Sequence, residues 1–301
     1  MEEVIIKEKN HFNILSNFLV KILAIIFMTI DHVGIGLSTL SYAENSPLAI
    51  TINIFRIIGR LAFPLFAFLL VEGLRHTHST KNYLLRLASM AILIFFSYLI
   101  IYHAFGLTIS GGNIFFDLLL AATSIILIEK KKTISLLAIL PFLYALFCTI
   151  VNALEFSQFI NWTNIFLPYF RMQYDIFGYL LILGFFYAYK LIPYIFKNEK
   201  FKDFSFEAYK TTNSYRLFAN AMMIAVLIIL NLIWYFISVY VPGLQYIAGG
   251  LGMESWSIFS AIIILLYNGK RGYNAKWFVY SAYAYYPVHI IIIGLIFYVI
   301  L

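Results

Sequence analysis

The chain has 301 residues, 62% of them hydrophobic and only 12% charged, with a mean hydropathy of +0.88. A soluble domain carries roughly 25% charged residues, so this composition excludes a soluble enzyme, a secreted disulfide scaffold and a disordered regulator. The single cysteine, Cys148, permits neither an internal disulfide nor a cysteine-based metal cluster, and its neighbours Ala145, Leu146 and Phe147 read as helix interior.

An apolar run of about 20 residues is long enough to cross a bilayer as a helix. In chain order nine runs are predicted: Leu19–Leu40, Ile50–Leu74, Tyr83–Ala104, Asn113–Ile128, Ile134–Ala153, Asp175–Phe196, Ala219–Tyr240, Tyr246–Tyr267 and Val279–Leu301. They imply an all-α polytopic membrane bundle forming a single domain over residues 1–301. A charged arm precedes the first run and no small-residue cleavage site follows it, so it is expected to be a retained helix rather than a removed signal peptide. The connection Asn152–Gln173, with Trp162 among Phe159, Ile160, Ile165, Phe166 and Phe170, is expected to lie along a membrane interface.

The net charge of +7 follows the connections. Lys7, Lys9 and Lys21, then Arg75, Lys81 and Arg86, then Lys130, Lys131 and Lys132 fall on one side. Lys190, Lys197, Lys200, Lys202, Lys210 and Arg216, then Lys270, Arg271 and Lys276 fall there too, so that side holds eighteen of the 21 basic residues. Basic residues stay in the cytoplasm, which gives an amino terminus inside and a carboxyl terminus outside. The excess is thus a topology signal, not a sign of nucleic acid.

Arg56, Arg60 and Arg171 break this rule. Arg56 and Arg60 share a face of the second run, four residues apart. Arginine in lipid is costly, so both are expected to face the protein interior and meet partners or water. Pro64 cannot donate to the Arg60 carbonyl, so the helix should kink there. Acids at comparable depth are Asp31, Asp117 with Asn113 one turn before it, Asp175 and Glu254. Arg171 and Asp175 read as an interfacial pair. Gly249, Gly250 and Gly252 precede Glu254 and either admit a ligand or break the helix. His32 follows Asp31 directly, and His289 lies mid-run in Tyr286-Pro287-Val288-His289. A neutral imidazole in such a place suits a general base; for His289, packing and function are both open. At the cytoplasmic end Glu72, Arg75, His76 and His78 close the second run and read either as a solvated helix end or, with Lys270 and Arg271, as a mouth for an anionic ligand. Metalloprotease, serine hydrolase and P-loop motifs are absent, and no metal site is expected.

The stretches Leu23–His32 and Arg56–Gly73, supported by Asn113–Phe116, Leu266–Gly272 and Tyr286–His289, resemble the TraX family. The best-known member of that family acetylates the amino terminus of conjugative pilin. The family is also distantly similar to multi-span acyltransferases that modify bacterial surface polysaccharides and to the lysosomal heparan-glucosaminide acetyltransferase. The resemblance implies acetyl or acyl transfer, in the bacterial cytoplasmic membrane, from cytosolic acetyl-CoA or another acyl-CoA to an amine or hydroxyl of an acceptor outside. His32 is then the expected general base, with a covalent acyl-histidine as the second variant. Asp31 orients the site or balances an arginine, and Arg56 or Arg60 stabilises the oxyanion. Asn113, Asp117, Glu254 and His289 are expected on the substrate, and Arg75, His76, Lys270 and Arg271 on the acyl-CoA. The rival expectation is a proton-coupled transporter relaying through Asp31, His32, Arg56 and Arg60.

Overall fold

The computed structural model describes residues 14–105, 112–130, 132–156, 166, 170–197, 205–240 and 254–300. These form an all-α polytopic bundle, and seven helices are long and apolar enough to cross a membrane. In chain order the elements are α1 (Asn17–Leu37), α2 (Pro47–Gly59), α3 (Ala62–His76), α4 (Thr80–Phe105), α5 (Ile114–Ile128), α6 (Lys132–Ser135) and α7 (Ile139–Phe156). They continue with α8 (Asp175–Ile195), α9 (Phe206–Tyr209), α10 (Asn213–Tyr240), a 3₁₀ segment Glu254–Phe259 running into α11 (Ser260–Leu265), and α12 (Lys276–Ile300). Seven of the nine predicted runs coincide with the long helices. The runs expected at Asn113–Ile128 and Tyr246–Tyr267 are represented by the shorter helices Ile114–Ile128 and Glu254–Leu265.

Local chemistry sets the ends. Ser16 caps α1 by accepting from the Leu19 amide, and Ser46 caps α2 by accepting from Ala49, with Pro47 in the first turn, where its missing N–H costs nothing. The second run is broken as Pro64 requires. Arg60 and Leu61 bond back three residues, to Ile57 and Ile58, and α3 starts afresh at Ala62. The break turns the end of α2 against α1. Gly59 makes this approach possible, since a β-carbon there would run into the Asp31 side chain.

Helix α3 is apolar all round from Ala62 to Val71, with Phe63, Leu65, Ala67, Phe68 and Val71 fully buried, and it occupies the centre together with α8. Peripheral helices carry exposed Ile92, Phe96, Ile229, Phe236 and Val299, an outward apolar surface fit for lipid. Helix α5 is short because it begins inside the bundle. Its capping residue Asn113 donates to the Ala91 carbonyl, twelve residues into α4, and its amide bonds the Arg171 carbonyl. Irregular backbone at that depth is tolerated where protein buries it.

The chain's first described residues are pinned to the segment before α12. Ile14 and Leu15 donate to Leu266, Asn17 to Lys270 and Phe18 to Arg271, while Asn268 donates back to Leu15. Trp162, Phe159, Ile160 and Ile165, the glycines 249, 250 and 252, and Lys131 lie outside the described residues, so the expectations placed on them are not met or denied.

Candidate functional site

The break between α2 and α3 delivers two guanidinium groups to one carboxylate. Arg60 Nη2 donates to both oxygens of Asp31, at 2.9 and 3.2 Å, and Arg56 Nη1 donates to Asp31 Oδ1 at 2.9 Å. Arg60 Nη1 reaches Glu254 Oε2 at 3.2 Å, and its Nε donates to the Arg56 carbonyl. All three nitrogens of Arg60 are therefore engaged. Among the described residues Arg56 is held through Nη1 alone, and its side chain is 26% exposed against 9% for Arg60. Two cations balanced by two anions satisfy the condition on which charges survive in a low-dielectric interior. Glu254 Oε1 is buried and has no hydrogen-bond partner among the described residues. Tyr174, stacked on Phe63 at 3.7 Å, completes the cluster and interacts electrostatically with Asp31, Arg56, Arg60 and Glu254.

His32 points away from Asp31, as adjacent positions on a helix must. Its Nδ1 lies 2.6 Å from His289 Nε2, joining α1 to α12. His289 Nδ1 lies 2.9 Å from the Tyr285 carbonyl oxygen, and the Tyr285 hydroxyl lies 2.8 Å from Thr29 Oγ1. The Tyr286 ring meets both imidazoles edge to face. Arg56 and Arg60 act on His32 electrostatically, so the histidine pair and the charge cluster form one neighbourhood.

A cavity of about 570 Å³ adjoins this neighbourhood at Tyr286. Lys21, His76, His78, Arg86 and Arg271 line it toward the helix ends, and Met28, Phe115 and Tyr286 line its inner end. Lys21 is within electrostatic reach of Arg86 and Arg271. None of these three has an acidic partner among the described residues. Met28 precedes His32 by one helical turn, and Tyr286 touches both imidazoles, so Met28 and Tyr286 stand between the cavity and the histidine pair.

The other expected residues fall into two groups. His76 and Arg271 line the cavity; Arg75 and Lys270 do not. Arg75 is held by Glu72 at 2.7 Å and lies 3.4 Å over the Tyr189 ring. Glu72, almost wholly buried, also accepts from Tyr189, Tyr267 and Arg216. The Tyr267 hydroxyl donates to Glu72 at 2.9 Å, so the Glu72 network anchors the loop that carries Arg271. Asn113 and Asp117 are engaged with backbone: Asp117 accepts from the Gln173 and Tyr174 amides, at 2.7 and 2.9 Å. They hold the loop that presents Tyr174. Between Arg171 and Asp175 the structure interposes Asn152, which accepts from Arg171 and donates to Asp175, and Arg171 is ion-paired with Glu155. Lys21, Arg86 and Tyr174 were not singled out from the sequence as site residues. The first two looked like topology charges, and nothing in the sequence brings Tyr174 to Arg60. Among the described residues no group of His, Cys, Asp or Glu gathers in numbers that could hold a metal ion.

Comparison with known proteins bears on the same helices. The family described as TraX protein matches residues 16–196, the stretch that contains Asp31, His32, Arg56 and Arg60. The probable fimbrial assembly protein FimC, serogroup H1, of Dichelobacter nodosus is 29% identical over 143 residues, covering 44% of this chain and 56% of that protein. The likeness thus spans little more than half of that relative. No solved structure matches.

Proposed function

This chain belongs to the TraX family, and from that premise we propose that it is a transmembrane acyltransferase. It moves an acetyl or acyl group from cytosolic acyl-CoA to an amine or hydroxyl of an acceptor at the outer face of the bacterial cytoplasmic membrane. The observation that supports this reading is the cavity that joins Lys21, Arg86 and Arg271 to Met28 and Tyr286, the residues next to the histidine pair. Its basic end is the cytosolic end by the distribution of Lys and Arg. The acyl-CoA phosphates lie among those three cations, with His76 beside them, and the thioester lies at Met28 and Tyr286. The name of the fimbrial relative agrees with an acceptor on surface material.

The residues divide the work as follows. His32 takes the proton from the acceptor N–H or O–H. The freed nitrogen or oxygen bonds to the thioester carbonyl carbon, and the carbonyl oxygen becomes an oxyanion. Arg56, whose Nε and Nη2 have no partner among the described residues, donates to that oxyanion; a fixed donor there is typically worth about 3–4 kcal/mol of barrier. The C–S bond then breaks, and the leaving thiolate takes the proton back from His32 as free CoA thiol. Arg60 and Asp31 hold Arg56 in place, and Glu254 Oε1 is the acceptor atom open to a donor on the incoming substrate.

The test uses purified protein in lipid nanodiscs, labelled acetyl-CoA and candidate amine and hydroxyl acceptors. Acceptor-dependent thiol release is expected, and His32→Ala should abolish it while the protein stays inserted and folded. Transfer retained in His32→Ala removes His32 from the role. Movement of a solute with no thiol release would replace the acyltransferase by the proton-coupled transporter.

A further inference from the structure

We propose that His289 is a positioning residue: it fixes the proton of His32 on Nδ1 and leaves Nε2 bare as the atom that accepts the substrate proton. The inference deepens the reading above and rests on it for the words "substrate proton" alone.

The Tyr285 carbonyl oxygen can only accept a hydrogen bond, and His289 Nδ1 lies 2.9 Å from it. Nδ1 of His289 therefore carries a proton. A neutral imidazole has a single N–H, so His289 Nε2 presents a lone pair. His32 Nδ1 lies 2.6 Å from that lone pair, a separation two facing lone pairs would not tolerate. His32 Nδ1 consequently carries the second proton, and its Nε2 is unprotonated. One main-chain oxygen thus dictates the tautomer of a side chain on another helix.

The spacing is held from the side. The Thr29 hydroxyl donates to the Ile25 carbonyl at 2.8 Å, so the Tyr285 hydroxyl donates to Thr29. The Tyr285 ring lies parallel to His289, at 5.0 Å and 4°, and Tyr286 closes the other flank of both imidazoles. The arrangement also shares charge. When His32 Nε2 takes a proton, the Nδ1 proton can pass to His289 Nε2, which spreads the positive charge over two rings. The reverse shift restores both neutral rings when Nε2 gives its proton up.

Nitrogen-15 NMR of histidine-labelled protein in nanodiscs, without any substrate, tests this directly. The chain has six histidines, and the His32 signals are assigned by their loss in His32→Gln. The expected wild-type spectrum shows His32 with a protonated Nδ1 and a bare Nε2. His289→Gln, whose side-chain oxygen still accepts, should keep that tautomer and most of the turnover. His289→Phe should shift His32 toward the Nε2-protonated form and lower kcat by about 100-fold, with the KM for acetyl-CoA unchanged. A wild-type His32 carrying its proton on Nε2 overturns the inference and needs no variant to be seen. So does a His289→Phe spectrum in which the His32 tautomer is unmoved. The expected spectra with no thiol release from any acceptor would overturn the acyltransferase reading and leave this one standing.

Discussion

Arg56 and Arg60 sit one turn apart and share Asp31, yet the structure gives them different duties. Arg60 is enclosed and uses every nitrogen on Asp31, Glu254 and the Arg56 carbonyl. Arg60→Gln should therefore act on stability: it strands Glu254 in the interior and leaves Asp31 with Arg56 alone, and removing one partner of a buried ion pair typically costs about 3–5 kcal/mol. A thermal melt in detergent should show a large fall in Tm. Arg56→Gln should leave Tm nearly unchanged and lower kcat for thiol release by about 100- to 1000-fold. Equal melting losses for the two variants would assign both arginines to packing. A second prediction concerns the hub at the basic end. Glu72→Gln removes the anion shared by Arg75 and Arg216, so Tm should fall and the KM for acetyl-CoA should rise as the loop carrying Arg271 loosens.

At the scale of elements, the pairing of α1 with α2 depends on a missing side chain. Gly59→Ala would drive a methyl group into Asp31, whereas Gly294→Ala on α12 meets only the Ile101 side chain at 3.8 Å, an ordinary contact. The first variant should lose both melting temperature and turnover, and the second should keep both; a tolerated Gly59→Ala would show that the helices separate without harm to the cluster. The broken helix was legible in advance, because Pro64 removes one backbone donor at a known offset from Arg60. The start of α5 was not. The sequence offers an apolar run and an Asn cap, but only packing reveals that the cap is tied to Ala91 and Arg171, deep in the bundle. Asp117 looked like a ligand-facing acid for the same reason: its real partners, the Gln173 and Tyr174 amides, are 56 and 57 residues away in sequence.

For the molecule as a whole, apolar run length exposed the bundle, and residue type exposed the unusual charges. What could not be read was which of them meet. His32 and His289 are separated by 257 positions, and no spacing rule links them. Lys21 and Arg86 were hidden by abundance: they belong to the eighteen basic residues that orientation alone explains, until the cavity singles them out. Met28→Trp should plug the inner end of the cavity and stop thiol release while the melt stays close to wild type; normal turnover would place the thioester elsewhere. Orientation is checked with a membrane-impermeant maleimide, which the buried Cys148 should not consume. Glu44→Cys should label in intact cells, and Thr80→Cys only after permeabilisation; the opposite pattern would invert the assigned sides.

The hydrogen bonds from Ile14, Leu15, Asn17 and Phe18 to Leu266, Lys270 and Arg271 have a consequence for biosynthesis. A ribosome delivers α1 first, but the strap that fastens its base is translated near the end, and Tyr286 and His289 arrive later still. Until then the growing protein has one wall open to the lipid and lacks the partner of the His32 imidazole. Under the acyltransferase proposal, a nascent chain halted before α12 should release no thiol from acyl-CoA.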